Sequence, residues 1–165
     1  MTPVAVLIGP PAAGKTRLGR RVAAQLDVEF VDTDRSVIAQ HGPIPEIFAS
    51  VGESQFRIWE RDAVVAALKS PGVVSLGGGA VLNEETQRDL EHHRVVLVTA
   101  TPEAIAPRLA GGNRPLLAGG LDAWKQLVAT RRPIYEQLAT IIVDTSSRPM
   151  DAIAAELAAS LEEKR

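Results

Sequence analysis

Five short apolar runs recur along the chain, and longer stretches with a helical spacing of apolar residues separate them. Four or five consecutive apolar or β-branched residues are typical of a strand that is buried on both faces, as in a parallel sheet. The pattern therefore predicts five strands of one parallel sheet. They are VAVLI (4–8), VEFVD (28–32), VVSL (73–76), VVLVT (95–99) and TIIVD (140–144).

The stretches between the runs predict helices. After the first run, Leu18, Val22 and Leu26 recur at the spacing that places them on one helical face. Strands that alternate with helices predict an α/β fold of three layers, in which ligands bind beyond the carboxyl ends of the strands. No linker or repeat interrupts the pattern, so we expect one domain over residues 1–165. Further helices are expected over 54–69, 83–93 and 148–165.

Composition and charge exclude several classes of protein. The net charge of −2 provides no overall attraction to nucleic acid or to an anionic membrane. The chain has no cysteine, which excludes disulfides and cysteine-ligated zinc and fits a reducing compartment. No apolar run approaches the roughly 20 residues of a membrane span, and the N-terminus lacks a signal-peptide pattern. We therefore expect a cytoplasmic monomer that binds neither nucleic acid nor membranes.

The segment GPPAAGKT (9–16), directly after the first strand, matches the phosphate-loop pattern G-x-x-x-x-G-K-[S/T]. A chance match somewhere in a chain of this composition has a probability of about 1%. In such a loop Lys15 reaches the β- and γ-phosphates of a nucleotide and the Thr16 hydroxyl binds Mg²⁺. The alternative is a strand–helix turn with an incidental lysine.

Pro10 and Pro11 raise a difficulty, because a phosphate loop binds through backbone N–H groups and proline has none. A proline also holds the preceding residue in an extended conformation. We therefore predict that the chain continues outward through Pro10, and that the turn and the anion cradle begin after it. The expected amide donors are those of Ala12, Ala13, Gly14, Lys15 and Thr16.

Two aspartates, Asp32 and Asp34, follow the second strand. Residues two apart in an extended segment point to the same side, so both carboxylates could face one site. One would then lie near a metal ion and the other would receive the proton of a substrate hydroxyl. The alternative is structural: Asp32 ends the strand in a turn and Asp34 caps the next helix.

Three consecutive glycines, Gly77, Gly78 and Gly79, follow the third strand. Without side chains, they would let the backbone approach a ligand closely and offer N–H groups to it. The alternative is a merely flexible loop. The segment AGGNRPLLAGG (110–120), after the fourth strand and its helix, has paired glycines around Arg114, which suggests a hinged lid that delivers a cation. A solvent-exposed loop is the alternative there.

Arg57 and Arg131 lie on predicted helices. For a lone arginine the ordinary interpretation is a surface salt bridge, here Arg57 with Glu60 or Arg61 with Asp62. The two tryptophans are interpreted as packing anchors rather than as stacking platforms. They are Trp59 and Trp124.

Taken together, these motifs resemble the shikimate kinase family. The resemblance runs from about residue 4 to 145 and implies a small nucleoside-monophosphate-kinase-like fold with a five-stranded parallel sheet. It implies transfer of the γ-phosphoryl group of ATP to the 3-hydroxyl of shikimate, in aromatic amino-acid biosynthesis. The motifs are GxxxxGKT (9–16), DTD (32–34), IFASVGESQFRIWE (47–60), SLGGGAV (75–81), NRPLL (113–117) and TRRPIY (130–135).

The resemblance also implies roles for single residues. On the ATP side, Lys15 and Thr16 would serve MgATP, Asp32 would hold Mg²⁺ through water, Arg108 would lie near the adenine and the phosphates, and Arg114 would be the lid arginine. On the acceptor side, a substrate-binding segment over about 33–61 is expected. Its partners for shikimate would be Asp34, which is also the candidate base, Arg57 and Arg131 for the carboxylate, the neighbouring Glu60, and Gly77, Gly78 and Gly79.

Two other functions stay open on the residues alone. One is another small-metabolite kinase of the same fold. The other is a nucleotide-dependent switch or binding module without turnover, although a GTPase should carry a guanine-reading N-K-x-D motif and the chain has none. A paired Arg57 and Arg131 suit a carboxylate better than a nucleotide base, which favours the acid acceptor.

Overall fold

The computed structural model describes residues 2–110 and 119–163. The five strands are β1 (Ala5–Ile8), β2 (Phe30–Asp32), β3 (Val73–Ser75), β4 (Val95–Thr99) and β5 (Ile141–Asp144). The helices are α1 (Lys15–Leu26), α2 (Thr33–His41), α3 (Ile44–Ser50), α4 (Glu53–Ala67), α5 (Glu84–Leu90), α6 (Pro102–Leu109), α7 (Gly120–Leu138) and α8 (Met150–Glu163). A short 3₁₀ turn covers Ala80–Leu82.

All five strands are parallel and form one sheet in the order β2-β3-β1-β4-β5. Val6 of the central strand pairs with Val74 on one side and with Val95 on the other. The predicted five-stranded parallel sheet is confirmed. The chain crosses from one side of β1 to the other between β3 and β4, and ligands of open α/β sheets bind outside the carboxyl ends of the strands at such a point.

Helices cover both faces of the sheet, because successive residues of a strand point to opposite faces. On one face, Leu7 packs with residues of α1 and α8, including Leu18 and Leu157. On the other face, Val6 packs with residues of α4 and α7, including Tyr135. The predicted three layers are confirmed. Within the described residues, no helix combines the length and the apolarity needed to cross a membrane.

The two edge strands depart from the prediction of burial on both faces. Strands β1 and β3 are buried throughout, whereas β2 is half-buried and β5 alternates between half-buried and exposed residues. Ile142 is 64% exposed. The reason is the strand order, because an edge strand has a neighbour on one side only and less helical cover. Apolar runs alone do not separate edge strands from central ones.

Helices α2, α3 and α4 form a small layer of their own beside the sheet. Val37, Ile47 and Phe56 make its buried cluster, and Trp59 packs against it. The Trp59 ring also stacks on His41, with 3.7 Å between the ring centroids. This layer carries Asp34 and Arg57 and thereby forms one side of the cavity described below.

Candidate active site

A cavity of about 610 Å³ opens at the carboxyl edge of the sheet, which is a volume typical of small-molecule sites. Its wall combines the loop after β1, the ends of β2 and β3, and residues of α4, α6 and α7. An apolar part of the wall comes from the α2–α4 layer and includes Ile44, Phe48 and Phe56. The polar and charged side chains that line it are Lys15, Thr16, Arg17, Asp32, Asp34, Arg57, Glu60, Ser75, Arg108 and Arg131.

The phosphate loop (residues 9–16) joins β1 to α1. Helix α1 begins at Lys15, with Gly14 as its N-cap at a φ of 101°. Ala12 has a φ of 68°, a conformation that costs a residue with a Cβ free energy and suits glycine. Ala12 also stands where the family resemblance often expects glycine. The loop therefore ends in the helix N-terminus that anion binding requires.

The turn of this loop follows Pro10, as predicted. The Ala13 N–H donates to the Pro10 carbonyl over 3.4 Å, so Pro10 is the first residue of the turn and Pro11 and Ala12 form its centre. Pro11 occupies the second position of the turn, where the fixed φ of proline fits well. Gly9, by contrast, has a φ of 146° rather than the extended conformation expected before a proline.

Lys15 lies back across the start of the loop. Its ammonium donates to the Gly9 carbonyl over 2.7 Å and to the Pro10 carbonyl over 2.9 Å. Both oxygens belong to the strand-proximal half of the loop, where Pro10 and Pro11 have no N–H groups. The lysine and the helix N-terminus thus bring positive charge to one place in the loop.

Side chains from other elements hold the next three carbonyls of the loop. All three come from segments that follow β4 in the chain, so distant parts of the sequence determine the shape of the loop. Sequence analysis missed Trp124 and Thr145 in this role. The contacts are Trp124 Nε1 to the Pro11 oxygen over 2.8 Å, Arg108 Nη1 to the Ala12 oxygen over 3.1 Å, and the Thr145 hydroxyl to the Ala13 oxygen.

Signals for both residues exist in the sequence. Thr145 directly follows β5, at the carboxyl edge where functional residues were expected after each of the other strands. Arg108 also donates to the Thr145 carbonyl over 2.9 Å, which ties α6 to the end of β5. Trp124 lies seven residues before Arg131, a spacing of two helical turns.

Asp32 and Thr16 are in direct contact, since the Thr16 hydroxyl donates to Asp32 Oδ2 over 2.8 Å. The other oxygen of Asp32 accepts from the N–H groups of Asp34 and Arg35, at 3.0 Å and 3.3 Å, so Asp32 caps helix α2. The predicted alternative assigned the cap to Asp34. The structure assigns it to Asp32, because helix α2 begins at Thr33 directly after the strand, with no turn between them.

Asp34 lies in the first turn of α2 and not in an extended segment. The argument that residues two apart point to the same side is therefore wrong here. Asp32 and Asp34 nevertheless both line the cavity, because α2 begins at its edge. The pair of carboxylates results from the sharp change from strand to helix at Asp32.

Glu60 is buried beside Asp34, with 4% of its surface exposed. Burial raises the pKa of Glu60, and the charge of Asp34 acts in the same direction, whereas Arg57 and Arg131 oppose the rise. Glu60 Oε1 accepts from Arg57 Nη1 over 2.8 Å. Two acids and two arginines therefore surround one end of the cavity, and their charges partly compensate each other.

Arg57 is also bonded to Glu53 over 3.2 Å. Burial acts to lower the pKa of Arg57, but the ion pairs with Glu60 and Glu53 more than offset it and raise the pKa. The contact with Glu60 was anticipated as a surface salt bridge, and Glu60 proves to be buried. Arg61, for which Asp62 was the expected partner, binds Asp89 over 2.7 Å instead.

Arg131 is 6% exposed, and its Nη1 atom is buried without a hydrogen-bond partner among the described residues. Leaving a buried donor unpaired costs about 1–3 kcal/mol, and more when the group is charged. A buried guanidinium at the wall of a cavity is a strong candidate for binding an anionic group of a ligand. The sequence indicated this arginine but not its unpaired state.

The glycine loop (residues 77–79) contacts these side chains directly. A Cβ atom on Gly77 would overlap Asp34 Oδ1 and lie 3.1 Å from Glu60 Oε2. On Gly79 it would lie 2.6 Å from Arg57 Nη1. None of the three glycines has a φ in the left-handed region. The glycines are therefore required by the close approach of charged side chains rather than by backbone conformation.

One N–H group of this loop differs from the expectation. The Gly77 N–H, predicted to face a ligand, donates to the buried Thr33 hydroxyl over 3.0 Å. The Gly78 carbonyl accepts from the Tyr135 hydroxyl over 2.9 Å. Burial raises the pKa of Tyr135, while the charge of Arg131 and a hydrogen bond with it oppose the rise. The Gly77 N–H and the Gly78 carbonyl thus bind the protein, and the arginines and acids lie close against the loop.

The lid predicted over 110–120 lies largely outside the described residues, and so does Arg114. Every other candidate residue is described. The structure brings together Lys15, Thr16, Asp32 and Arg108 around the phosphate loop. It brings Asp34, Arg57, Glu60 and Arg131 together around the glycine loop.

Comparisons with known proteins agree with this geometry. The family model described as "Shikimate kinase" matches residues 11–162. A shikimate kinase of Salinispora arenicola (strain CNS-205) is 48% identical over 165 residues, which is 98% of this chain and 99% of the relative. A solved shikimate kinase from Acinetobacter baumannii in complex with shikimate superimposes with a TM-score of 0.91 at 27% identity, over 100% of this chain and 95% of that one.

A gluconokinase from Sinorhizobium meliloti 1021 superimposes with a TM-score of 0.65 at 21% identity, over 97% of this chain and 91% of that one. At that identity the likeness concerns the fold alone. The family match, by contrast, covers nearly the whole chain and rests on sequence. The chain belongs to the shikimate kinase family.

Proposed function

We propose that this chain transfers the γ-phosphoryl group of MgATP to the 3-hydroxyl of shikimate, giving shikimate 3-phosphate and ADP in aromatic amino-acid biosynthesis. The observation that carries the proposal is the buried Arg131 guanidinium, whose Nη1 atom has no partner in the described part of the chain. It adjoins the glycine loop in a cavity that also contains a phosphate loop. A small carboxylic acid placed there would satisfy the free donor.

The phosphate loop supports the donor half of the reaction. The N–H groups of Ala12, Gly14 and Thr16, with those of Ala13 and Lys15 between them, would hold the phosphates at the N-terminus of α1. The Ala13 N–H is engaged only over 3.4 Å. The Lys15 ammonium would exchange its two loop carbonyls for the β- and γ-phosphates. Arg108 and Arg114 remain our predictions for contacts with the adenine and the transferred group.

Thr16 and Asp32 fit a magnesium ion that arrives with the nucleotide. Their hydroxyl and carboxylate oxygens are 2.8 Å apart, and both are the hard ligands that Mg²⁺ prefers. Within residues 2–110 and 119–163, no group of three or more acidic or histidine side chains could hold a metal ion by itself. That suits Mg²⁺, which in kinases is held by one or two carboxylates, water and substrate phosphates, and which neutralises phosphate charge when bound.

The acceptor half would use two arginines and two acids. Arg57 and Arg131 would bind the carboxylate of shikimate through their planar guanidinium groups. Glu60 keeps Arg57 in place through the 2.8 Å ion pair. Asp34 would bind the hydroxyls of shikimate and receive the proton of the 3-hydroxyl as the new O–P bond forms and the bond from the γ-phosphorus to ADP breaks. Little more is required, because positioning and charge stabilisation dominate phosphoryl transfer.

We further propose that residues 1–165 act as one domain and as a monomer in the cytoplasm, with residues 33–61 as the acceptor-binding segment. The support is the lack of cysteine, the small net charge and the position of the α2–α4 layer beside the cavity. The same charge argues against nucleic acid and membranes as partners.

A coupled assay of ADP production tests the function with shikimate, gluconate, AMP or no acceptor. We expect ADP production that depends on shikimate, with gluconate and AMP close to the rate without acceptor. The Lys15→Met variant controls for a contaminating kinase. Equal rates with and without shikimate would contradict the proposal, and a faster reaction with gluconate would favour another small-metabolite kinase of this fold.

The methyl ester of shikimate sharpens the same assay. It keeps the hydroxyls and removes the charge that Arg57 and Arg131 would bind. We expect KM for the ester to exceed KM for shikimate by about a hundredfold, in line with loss of a buried charge pair. Equal KM values for the ester and for shikimate would mean that these arginines do not bind the carboxylate.

A further inference from the structure

Helix α7 presents three buried side chains on one face. They are Trp124, Arg131 and Tyr135. Spacings of seven and four residues place them in a row along the helix, over three turns or roughly 16 Å. Because a helix is stiff over this length, groups bonded to the two ends of the row keep a fixed separation.

The ends of the row bind the two loops of the cavity. The Trp124 indole N–H donates to the Pro11 carbonyl of the phosphate loop over 2.8 Å. The Tyr135 hydroxyl donates to the Gly78 carbonyl of the glycine loop over 2.9 Å. Arg131, whose Nη1 atom is buried and unpaired among the described residues, lies between them.

The two loops also touch each other. A Cβ atom on Gly78 would lie 3.2 Å from Cδ of Pro11 and 3.5 Å from Nη1 of Arg131. Phosphate loop, glycine loop and helix α7 therefore form a closed ring of contacts, with the arginine inside it. Pro11, which offers no N–H group to a phosphate, takes part with its ring and its carbonyl.

We infer that Trp124 and Tyr135 are positioning residues, which together hold the phosphate loop at a fixed distance from Arg131. This inference rests on the proposed function, in which the phosphate loop holds the donor and Arg131 holds the acceptor. Neither side chain lines the cavity, so they act through the main chain they bind. Their effect belongs to the alignment of two bound substrates and not to the affinity for either one.

The hydrogen bond of Trp124 is separable from its packing. The ring is buried against Ile105 in a small apolar cluster, and this packing would remain with phenylalanine. Trp124→Phe therefore removes one donor from Pro11 and keeps an aromatic ring. Tyr135→Phe removes only the hydroxyl, and with it the bonds to the Gly78 carbonyl and to Arg131. Thr140→Val serves as the matched control, because it removes a hydroxyl that donates to the Val95 carbonyl over 3.0 Å, and Thr140 does not line the cavity.

The test is a comparison of kcat and both KM values for the two single variants and the double variant, with active-site concentrations measured by MgADP titration. We expect kcat to fall about tenfold in each single variant, since misalignment of bound reactants costs rate. Both KM values should stay within about threefold, and Thr140→Val should match the wild type.

The double variant distinguishes a shared ring of contacts from two independent local effects of Trp124 and Tyr135. If both residues close the same ring, losing either opens it, and we expect the double variant to lose about tenfold in kcat rather than about a hundredfold. Independent, multiplying losses would overturn the inference. So would wild-type kcat in Trp124→Phe accompanied only by a lower Tm, or an unchanged kcat with raised KM values.

A spectroscopic measurement keeps this result distinct from the proposed function. In Trp59→Phe, Trp124 is the only tryptophan. We expect MgADP to change its emission, because the indole is bonded to the loop that holds the phosphates. This readout needs no acceptor, so an emission change without shikimate-dependent turnover would refute the proposed reaction while supporting the link. Unchanged emission at saturating MgADP would refute the link itself.

Discussion

The two halves of the cavity are constructed in opposite ways. In the phosphate loop, the carbonyls of residues 9–13 all accept hydrogen bonds from side chains, and the loop is held from several directions. Around the glycine loop, the side chains themselves form the site, and one donor atom, Arg131 Nη1, is left without a hydrogen-bond partner among the described residues. The donor half is thus a supported piece of backbone, and the acceptor half is a set of charged side chains awaiting an anion.

This difference predicts different responses to substitution. Several contacts share the support of the phosphate loop, so loss of one should cost little affinity for the nucleotide. The acceptor half depends on single charged groups, so loss of one should cost much. It also implies that the acceptor half lowers the stability of the free protein, since a buried donor without a partner is unfavourable.

Arg131→Met should have the largest effect. We expect kcat/KM for shikimate to fall by about a thousandfold, near the upper cost of removing one partner of a buried charge pair. MgADP affinity should stay within about twofold, because the phosphate loop is untouched. Steady-state kinetics and nucleotide titration measure both quantities.

The same variant should lose little stability, because the Nη1 donor is buried without a described partner, although the Arg131 charge also offsets part of the cost of burying Glu60. We expect Tm to fall by less than in most buried substitutions. Arg132→Met is the matched control, since Arg132 is the exposed neighbour on the same helix. A clear loss of Tm together with weaker MgADP binding would mean that Arg131 supports the fold rather than the acceptor.

Thr145→Val should have a smaller effect, and on the nucleotide rather than on the acceptor. It keeps the shape of the side chain and removes the hydroxyl that bonds the Ala13 carbonyl and Arg108. We expect KM for ATP to rise about threefold and KM for shikimate to stay unchanged, because other contacts still hold the loop. Thr130→Val, on the exposed side of α7, provides the control. An equal rise in both KM values would show that the halves do not separate in this way.

Glu60→Gln should have the smallest effect, which is a change in the pH dependence of stability. The pKa of Glu60 in the folded protein is raised above its ordinary value of 4.5. Between the two values the native state holds a proton that the unfolded chain has lost, so wild-type stability falls as pH rises through this window. The variant lacks this contribution.

We therefore expect the wild type to lose unfolding free energy relative to Glu60→Gln as pH rises above 4.5, by at most about 1.4 kcal/mol per pH unit. Urea unfolding at several pH values between 4.5 and 7 measures the difference, in which other titrating groups cancel. A difference that is flat, or that grows in favour of the wild type, would mean that the ion pair with Arg57 outweighs burial.

The contrast between the two halves of the cavity also explains which parts of the structure the sequence could predict. The five strands and the phosphate loop are contiguous segments, and their composition and spacing carry the prediction. The glycine loop lies at the cavity, but the Gly77 N–H that was expected to face a ligand donates to the Thr33 hydroxyl instead. The side chains that exclude a Cβ atom there come from α2 and α4, and no local pattern relates them to the glycines.

Local reasoning failed where two elements meet. Asp34 was placed in an extended segment, whereas the chain enters α2 at Thr33. Trp124 and Thr145 were missed as supports of the loop, since their partners are more than a hundred residues away in the chain.

The sequence by itself determined the succession of strands and helices along the chain, the phosphate loop and the family, because short-range periodicity and contiguous motifs encode them. Only the tertiary structure decided which charges are paired, which are buried and which loops share a support. Those properties depend on distances between residues that are far apart in the chain. Arg57 and Arg131 look alike as letters, yet one is bound in ion pairs with Glu53 and Glu60 and the other retains a buried donor for a ligand.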